Sequence, residues 1–146
     1  MSGFFVKIWT GNFLLSVRFL SSGARPMINH QTPLKIDKYQ FGKIIVDGAT
    51  FRHDVIIFPN HVSPDWWREE GHSLCIADLQ EVVEEHPDLL IVGTGAYGRL
   101  QVDDAVKKQI REKGIDLEIF PTEQACARYN QSRRQCTVAA ALHLSC

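Results

Sequence analysis

The stretch that most constrains the fold of this 146-residue chain is residues 88–100, DLLIVGTGAYGRL. Its apolar run, residues 89–92, passes directly into a loop that contains three glycines. A strand that is apolar on both faces must be covered on both faces, which is typical of the middle of a mostly parallel sheet. At this length the chain holds a single domain with a real core.

The segments around this run alternate between strand and helix patterns. Two β-branched runs, 42–47 and 50–58, are separated by Asp47-Gly48, which favours a tight hairpin turn. Apolar stripes then predict helices over three ranges and further strands over two, and crossovers between parallel strands are right-handed. The helical ranges are 76–85, 101–113 and 123–133, with Thr122 as the cap of the last, and the strand ranges are 115–120 and 137–145. We therefore predict one three-layer α/β domain, a mixed, mostly parallel sheet flanked by helices, with an N-terminal β-hairpin.

The first 26 residues differ from the rest in composition. They contain Lys7, Arg18 and Arg25 and no acidic residue, and their longest apolar run is far shorter than the roughly 20 residues a membrane span needs. An organelle presequence has this composition, and so does a translated leader upstream of Met27. We favour the leader, which predicts a folded domain over 33–146 and a cytoplasmic location; a presequence would instead direct the protein to the mitochondrial matrix.

The topology brings several polar or small residues to one edge of the sheet. Parallel strands end together, and ligands of open α/β sheets bind beyond those carboxyl ends. The helix that begins near residue 76 runs antiparallel to its strand, so the residues before it reach the same edge. His143 lies on the last strand, on a face otherwise made of alanines. The candidate residues at this edge are His72, Gly93, Thr94, Gly95, Thr122, His143 and Cys146.

Two adjacent tryptophans, Trp66 and Trp67, stand in a polar stretch and are followed by Arg68. One indole is expected to cover the edge of the core, and its neighbour to face the surface or a partner. A loop held by aromatic packing accounts for the pair; a binding surface that uses all three residues is the alternative.

The chemical motifs of the chain are weak. Gly93-x-Gly95-x-x-Gly98 has the spacing of a dinucleotide fingerprint, but Arg99 and Leu100 separate it from the following helix, whose amides would have to reach the pyrophosphate. His72 could act on Cys146 from across the edge, whereas His143 is not expected to contact that cysteine. We predict no cofactor and no catalytic residue.

Metal binding is not predicted either. His53, His61, His72 and Cys75 have no recognised ligand spacing. The four cysteines include no C-x-x-C pair, so reduced thiols are expected. The net charge of −1 gives no reason to expect nucleic acid as a partner.

Four segments together resemble a known family. WWREEGH, LLIVGTG, GIDLEIFPTEQACARYN and AAALHLSC occur in this order, and the combination is similar to the adipogenesis-associated Mth-like domain family, over residues 35–146. That family occurs in archaea, bacteria and eukaryotes, and includes a mitochondrial assembly factor for respiratory complex I. The resemblance implies a three-layer α/β fold but supplies no reaction.

Two hypotheses follow for the function. The first is a non-enzymatic binding or assembly protein that contacts a protein partner through the carboxyl edge and the Trp66-Trp67 loop. The second is a small-molecule binder or enzyme at the same edge, in which the loop of residues 93–98 holds an anionic group through backbone amides and His72 is an acid or base. A homodimer is compatible with either hypothesis.

Overall fold

The computed structural model describes residues 32–146, which form ten strands and three α-helices. The strands are β1 (Ile36–Gln40), β2 (Lys43–Val46), β3 (Ala49–Phe51), β4 (Val55–Ile57), β5 (Val62–Ser63), β6 (Ser73–Leu74), β7 (Leu89–Thr94), β8 (Gln101–Val102), β9 (Asp116–Phe120) and β10 (Val138–His143). The helices are α1 (Gln80–Glu85), α2 (Asp104–Glu112) and α3 (Thr122–Ser132), and a 3-10 turn, Ile76–Leu79, leads into α1.

The main sheet is mixed and has the strand order β5-β4-β10-β7-β9. β10 and β9 both pair in parallel with β7, whereas β4 is antiparallel to β10 and β5 to β4. Every residue of β7 and β10 is buried. The apolar run at residues 89–92 is therefore a central strand, as predicted, because both of its faces are covered.

Two apolar clusters, one on each face of this sheet, make the three layers. On one face α3 packs through Ala125, Cys126 and Tyr129, beside Ile44 and other residues of the small β1-β2-β3 sheet. On the other face, residues of the first two helices pack with Leu74 and Leu100. β10 contributes alternate residues to the two clusters because successive strand residues point to opposite faces.

The predicted hairpin is confirmed. Asp47 and Gly48 both have positive φ, 46° and 84°, and connect β2 to β3 as an antiparallel pair. The second predicted run, 50–58, is not one strand: it breaks after Phe51, so that β3 stays in the small sheet and β4 joins the main sheet. β1, which pairs with β2, was not predicted.

Two of the predicted helices begin at different residues. Gln101 and Val102, expected in the second helix, pair in parallel with Ser73 and Leu74, so α2 begins at Asp104. Thr122 does not cap α3 but is its first residue. Within residues 32–146, no helix is both long and apolar enough to cross a membrane.

Candidate functional site

Hydrogen bonds of Thr122 and Thr94 tie together the carboxyl ends of three strands. Its hydroxyl accepts a hydrogen bond from the Gly95 amide at 2.8 Å and donates one to the His143 carbonyl at 2.6 Å. The Thr94 hydroxyl donates to the Phe120 carbonyl at 3.1 Å. Gly95, Thr122 and His143 are buried. The edge that the topology predicted is therefore one connected structure, held by the first residue of α3.

Gly93, within β7, and Gly95, directly after it, allow a close approach of neighbouring groups. A Cβ on Gly95 would lie 2.5 Å from the carbonyl carbon of Cys146 and 2.9 Å from Cδ2 of His143, and the φ of Gly95 is +105°. A Cβ on Gly93 would lie 2.8 Å from the Thr122 hydroxyl. The glycines are needed because any side chain would displace this packing.

The backbone amides of the loop after β7 donate hydrogen bonds within the protein. Besides the Gly95 amide, the Ala96 amide donates to the Ser145 carbonyl at 2.6 Å and the Arg99 amide to the Cys146 carbonyl at 3.2 Å. The Gly98 amide donates to the Gly95 carbonyl at 3.2 Å. These amides therefore do not form an anion cradle, and α2 begins only after β8. Both facts weigh against the anion-holding role of this loop in the second hypothesis.

A buried group of charged residues lies beside the end of β10. The Asp54 carboxylate is 2.8 Å from Nη2 of Arg68 and 2.8 Å from Nδ1 of His143, and it accepts the Leu144 amide at 2.8 Å. The side chains of Arg68 and His143 are only 6% and 7% exposed. Burial raises the pKa of Asp54, but the hydrogen bonds from His143, the Leu144 amide and Arg68 outweigh it and hold the pKa below its ordinary value.

Asp54 was not a sequence candidate, although it anchors this group. The available signal was a carboxylate directly before the apolar run 55–58, inside a predicted strand. A charge at the start of a fully buried strand needs a partner, and here Arg68 is that partner. Arg68 also donates to the Gly71 carbonyl at 3.2 Å, so it fixes the loop in front of β6 as well.

The protonation pattern of His143 follows from its neighbours. Nδ1 lies 2.8 Å from the Asp54 carboxylate and 3.2 Å from Nη2 of Arg68. The carboxylate can accept a hydrogen bond and is the nearer of the two, so we assign the ring proton to Nδ1. Nε2 is then an acceptor, and it is buried with no hydrogen-bond partner among the described residues. Cδ2, the ring carbon bonded to Nε2, faces Gly95, on the side of the ring away from Nδ1 and Asp54.

His72, His143 and Cys146 converge at the same edge. Nε2 of His72 is 3.4 Å from Sγ of Cys146, and the two imidazole rings meet edge-on with centroids 6.0 Å apart. One ligand atom from each residue lies within 4.8 Å of the others. His143 was not expected to contact Cys146 directly, and no hydrogen bond joins their side chains among the described residues. The two are nevertheless near each other, because β10 ends at His143 and the next residues leave the sheet toward Gly95.

The two adjacent tryptophans differ in burial, as the sequence indicated. Trp66 is half-buried, donates its indole N–H to the Asp78 carbonyl at 2.9 Å and lies 4.7 Å below the Arg68 guanidinium. Trp67 is 85% exposed. An open cavity of about 680 Å³ separates this loop from the end of β10. Its lining includes both tryptophans, Arg52, Asp54, Arg68, Gly42 and Leu144.

The fold and this edge define a class of small α/β domain: a mixed five-stranded sheet whose carboxyl edge carries a glycine loop, two histidines and a tryptophan loop. The profile of the family described as "Protein of unknown function (DUF498/DUF598)" matches residues 36–143. The chain belongs to this family, in agreement with the Mth-like resemblance of its motifs.

Solved structures agree with this membership. The conserved hypothetical protein PH1505 of Pyrococcus horikoshii is 27% identical, with a TM-score of 0.66 over 77% of this chain and 99% of its own. XCC1710 of Xanthomonas campestris shares the fold at 20% identity, with a TM-score of 0.68 over 82% and 92% of the two chains. A Bordetella pertussis protein, described as an Mth938-like domain, shares it at 18% identity, with a TM-score of 0.58 over 86% and 92%.

Proposed function

We propose that this domain binds a protein partner through the carboxyl edge of its sheet and has an assembly-type role. The observation that carries the proposal concerns the large hydrophobic side chains exposed among residues 32–146. They are Phe41, Trp67 and Tyr97, with 57%, 85% and 71% of their surface accessible. All three stand on loops that border this one edge, and we call them the aromatic rim.

The contacts around the aromatic rim support its being one surface. The rings of Phe41 and Tyr97 lie 6.1 Å apart, so the β1-β2 turn and the loop after β7 meet there. Gly42, next to Phe41, donates its amide to the Leu144 carbonyl at 2.9 Å and lines the same cavity as Trp67. An exposed patch of this kind, beside a cavity, is typical of an interaction site.

The residue types at the rim are those that dominate protein interfaces. Tryptophan, tyrosine and arginine are enriched among interface residues whose truncation costs on the order of 2 kcal/mol or more. The cavity lining mixes Arg52 with Asp65 and Glu69 and carries no strong charge of one sign. Such a surface suits a partner that presents an apolar side chain among neutral polar groups, rather than a polyanion.

Side-chain contacts hold the loop beneath the rim, which favours binding. Arg68 is pinned by Asp54 and the Gly71 carbonyl and lies over Trp66, so the loop that carries Trp67 is held from below. A surface that is ordered before binding loses little conformational entropy on association. The family resemblance supports assembly-type partners, and we propose a cytoplasmic location for the interaction.

Site-specific photocrosslinking in the native host tests the proposal. A photoreactive phenylalanine analogue replaces Trp67 in one variant and Glu112 in a control variant. Glu112 is exposed at the end of α2, near the amino ends of the parallel strands. We expect a discrete crosslinked species from position 67 that is absent from position 112 and is lost when Phe41 and Tyr97 are changed to serine. The same crosslinks from both positions, or none from position 67, would contradict the proposal.

A second candidate, small-molecule binding, rests on the cavity alone. Its volume of about 680 Å³ falls within the roughly 300–1,000 Å³ of typical ligand sites. Native mass spectrometry of protein purified from its own host distinguishes the two candidates. A reproducible mass excess of a retained metabolite would support this candidate, whereas the bare mass of a monomer or dimer would leave partner binding ahead.

A further inference from the structure

We propose that His72, His143 and Cys146 form a binding site for a transition-metal ion of the zinc class, independently of any protein partner. One nitrogen from each imidazole and the thiol sulfur lie within 4.8 Å of one another. Imidazole nitrogen and cysteine thiolate are the donors that Zn²⁺ prefers. Three protein ligands would leave the fourth tetrahedral position open, as in zinc sites that bind water or a substrate.

His143 is prepared for this role by its surroundings. Its Nε2 is buried without a partner among the described residues, while Nδ1 hydrogen-bonds to the Asp54 carboxylate at 2.8 Å. A carboxylate on the far nitrogen fixes the tautomer of a metal-binding histidine and raises the basicity of its other nitrogen. Leaving a buried acceptor unpaired costs free energy, and a bound metal ion would remove this cost at Nε2.

One of the observed separations already matches that of a loaded site. Tetrahedral bonds of about 2.05 Å to nitrogen and 2.3 Å to sulfur place the two ligand atoms about 3.5 Å apart. The separation between His72 Nε2 and Cys146 Sγ is 3.4 Å. His72 is exposed, so its ring is free to close the remaining separation toward His143, which is held by Asp54.

Gly95 has a direct part in this arrangement. Because Gly95 has no side chain, the backbone of Cys146 and Cδ2 of His143, the ring carbon next to Nε2, can both lie close to it. The sequence analysis placed His72, His143 and Cys146 at one edge but did not predict a metal site there. His72 is far from the other two ligands in the sequence, so no ligand spacing marks the set.

Cobalt substitution tests the site in the full reduced chain. Co²⁺ titrated into metal-free protein is expected to bind with a stoichiometry of one and to give thiolate-to-Co²⁺ charge-transfer absorption together with intense tetrahedral d–d bands. Added Zn²⁺ should displace it. Cys146→Ser is expected to abolish the charge-transfer absorption, whereas Cys136→Ser, at another half-buried cysteine, should retain it.

The role of His143 is tested by the affinity of variants for Zn²⁺. His143→Gln should weaken Zn²⁺ binding by at least about 100-fold in calorimetry, and Asp54→Asn, which alters the partner of His143, by about 10–100-fold. His53→Gln, at an exposed histidine outside the cluster, should bind as the unmodified protein does.

A measurement on the unmodified protein does not depend on the variants being folded. Zn²⁺ should protect Cys146 from alkylation in the unmodified protein and leave the labelling of Cys136 unchanged, as read by peptide mass spectrometry. The proposal is overturned if Zn²⁺ protects neither cysteine or protects both equally, or if Co²⁺ gives the same spectrum in folded Cys146→Ser.

Discussion

Gly95 stands where the loop after β7 passes the backbone of Cys146 too closely for any side chain. Gly95→Ala is expected to destabilise the domain by roughly 1–3 kcal/mol beyond the cost of a positive φ alone, because the methyl group must displace backbone. Gly42→Ala is the matched control: its φ is also positive, +75°, but no atom lies within 4 Å of the added carbon.

Urea denaturation of the two variants measures this difference. Gly42→Ala should lose only about 1–2 kcal/mol of unfolding free energy, the cost of a left-handed conformation in a residue with a side chain. Equal losses in the two variants would mean that the close approach of Cys146 to Gly95 does not exist in solution.

Tyr129 makes the unfolding free energy depend on pH in the alkaline range. Burial raises the pKa of its phenol to about 12, whereas a tyrosine in an unfolded chain titrates near 10. The folded state therefore holds this proton more tightly, and the resulting stability is complete below about pH 10 and is lost as the pH rises through 12. The unfolding free energy should fall more steeply over this window in the unmodified protein than in Tyr129→Phe.

Chemical denaturation at several values of pH between about 8 and 12 checks this prediction. Phenylalanine loses the hydrogen bond of the Tyr129 hydroxyl to the Leu34 carbonyl, which costs about 1 kcal/mol at the lower values of pH. The difference between the two proteins should then narrow as the pH rises, since all other titrating groups are common to both. Parallel curves would show that Tyr129 titrates normally.

Single residues also mark the limit of prediction from sequence. Trp67, His72 and Cys146 were named as candidates from the sequence because of their residue types and the predicted topology. Asp54 and Phe41 were missed, because nothing in the local pattern shows that a carboxylate pairs with Arg68 or that a turn residue meets Tyr97. Those contacts join residues far apart in sequence and depend on how the loops are placed.

At the scale of secondary-structure elements, one hydroxyl joins the start of α3 to two strands. Thr122→Val keeps the shape of the side chain but removes the acceptor of the buried Gly95 amide and the donor to the His143 carbonyl. An unpaired buried amide costs about 1–3 kcal/mol, so Thr122→Val should lose at least that much unfolding free energy. Thr122→Ser retains the hydroxyl and serves as the control.

Thermal and urea unfolding of the two variants separate the hydroxyl from the methyl group. The serine variant should be the more stable of the pair, although it fills less volume. If the valine variant were as stable as the serine variant, the hydrogen bonds of the Thr122 hydroxyl would contribute nothing to stability.

Elements with a strong periodic pattern were predicted well. β7 and β10 follow from apolar runs, and the β2-β3 hairpin from Asp47-Gly48. The short pair β6-β8 and the break between β3 and β4 were missed, because two-residue strands have no period and are fixed by their partner. The wrong start of α2 has the same origin, since β8 takes its first expected residues.

At the scale of the whole molecule, the exposed aromatic side chains should contribute little to folding, and we propose that they serve binding. Trp67→Ser should change the unfolding free energy by less than about 0.5 kcal/mol, because its side chain is 85% accessible. Trp66→Ser should cost several times more, since this indole packs against the core and donates to the Asp78 carbonyl. Urea denaturation of the two variants, side by side, checks that the two tryptophans contribute differently to the unfolding free energy.

The most direct measurement compares two triple variants, each altered on a different face of the folded protein. It asks which of them still recovers a partner from the native host. One triple variant changes the aromatic rim to serine at Phe41, Trp67 and Tyr97; the other changes three exposed residues of α2, Lys108, Arg111 and Glu112, to serine. With melting temperatures matched, quantitative mass spectrometry should show the partner lost from the rim variant and retained by the α2 variant. Full retention by the rim variant would contradict the proposed function.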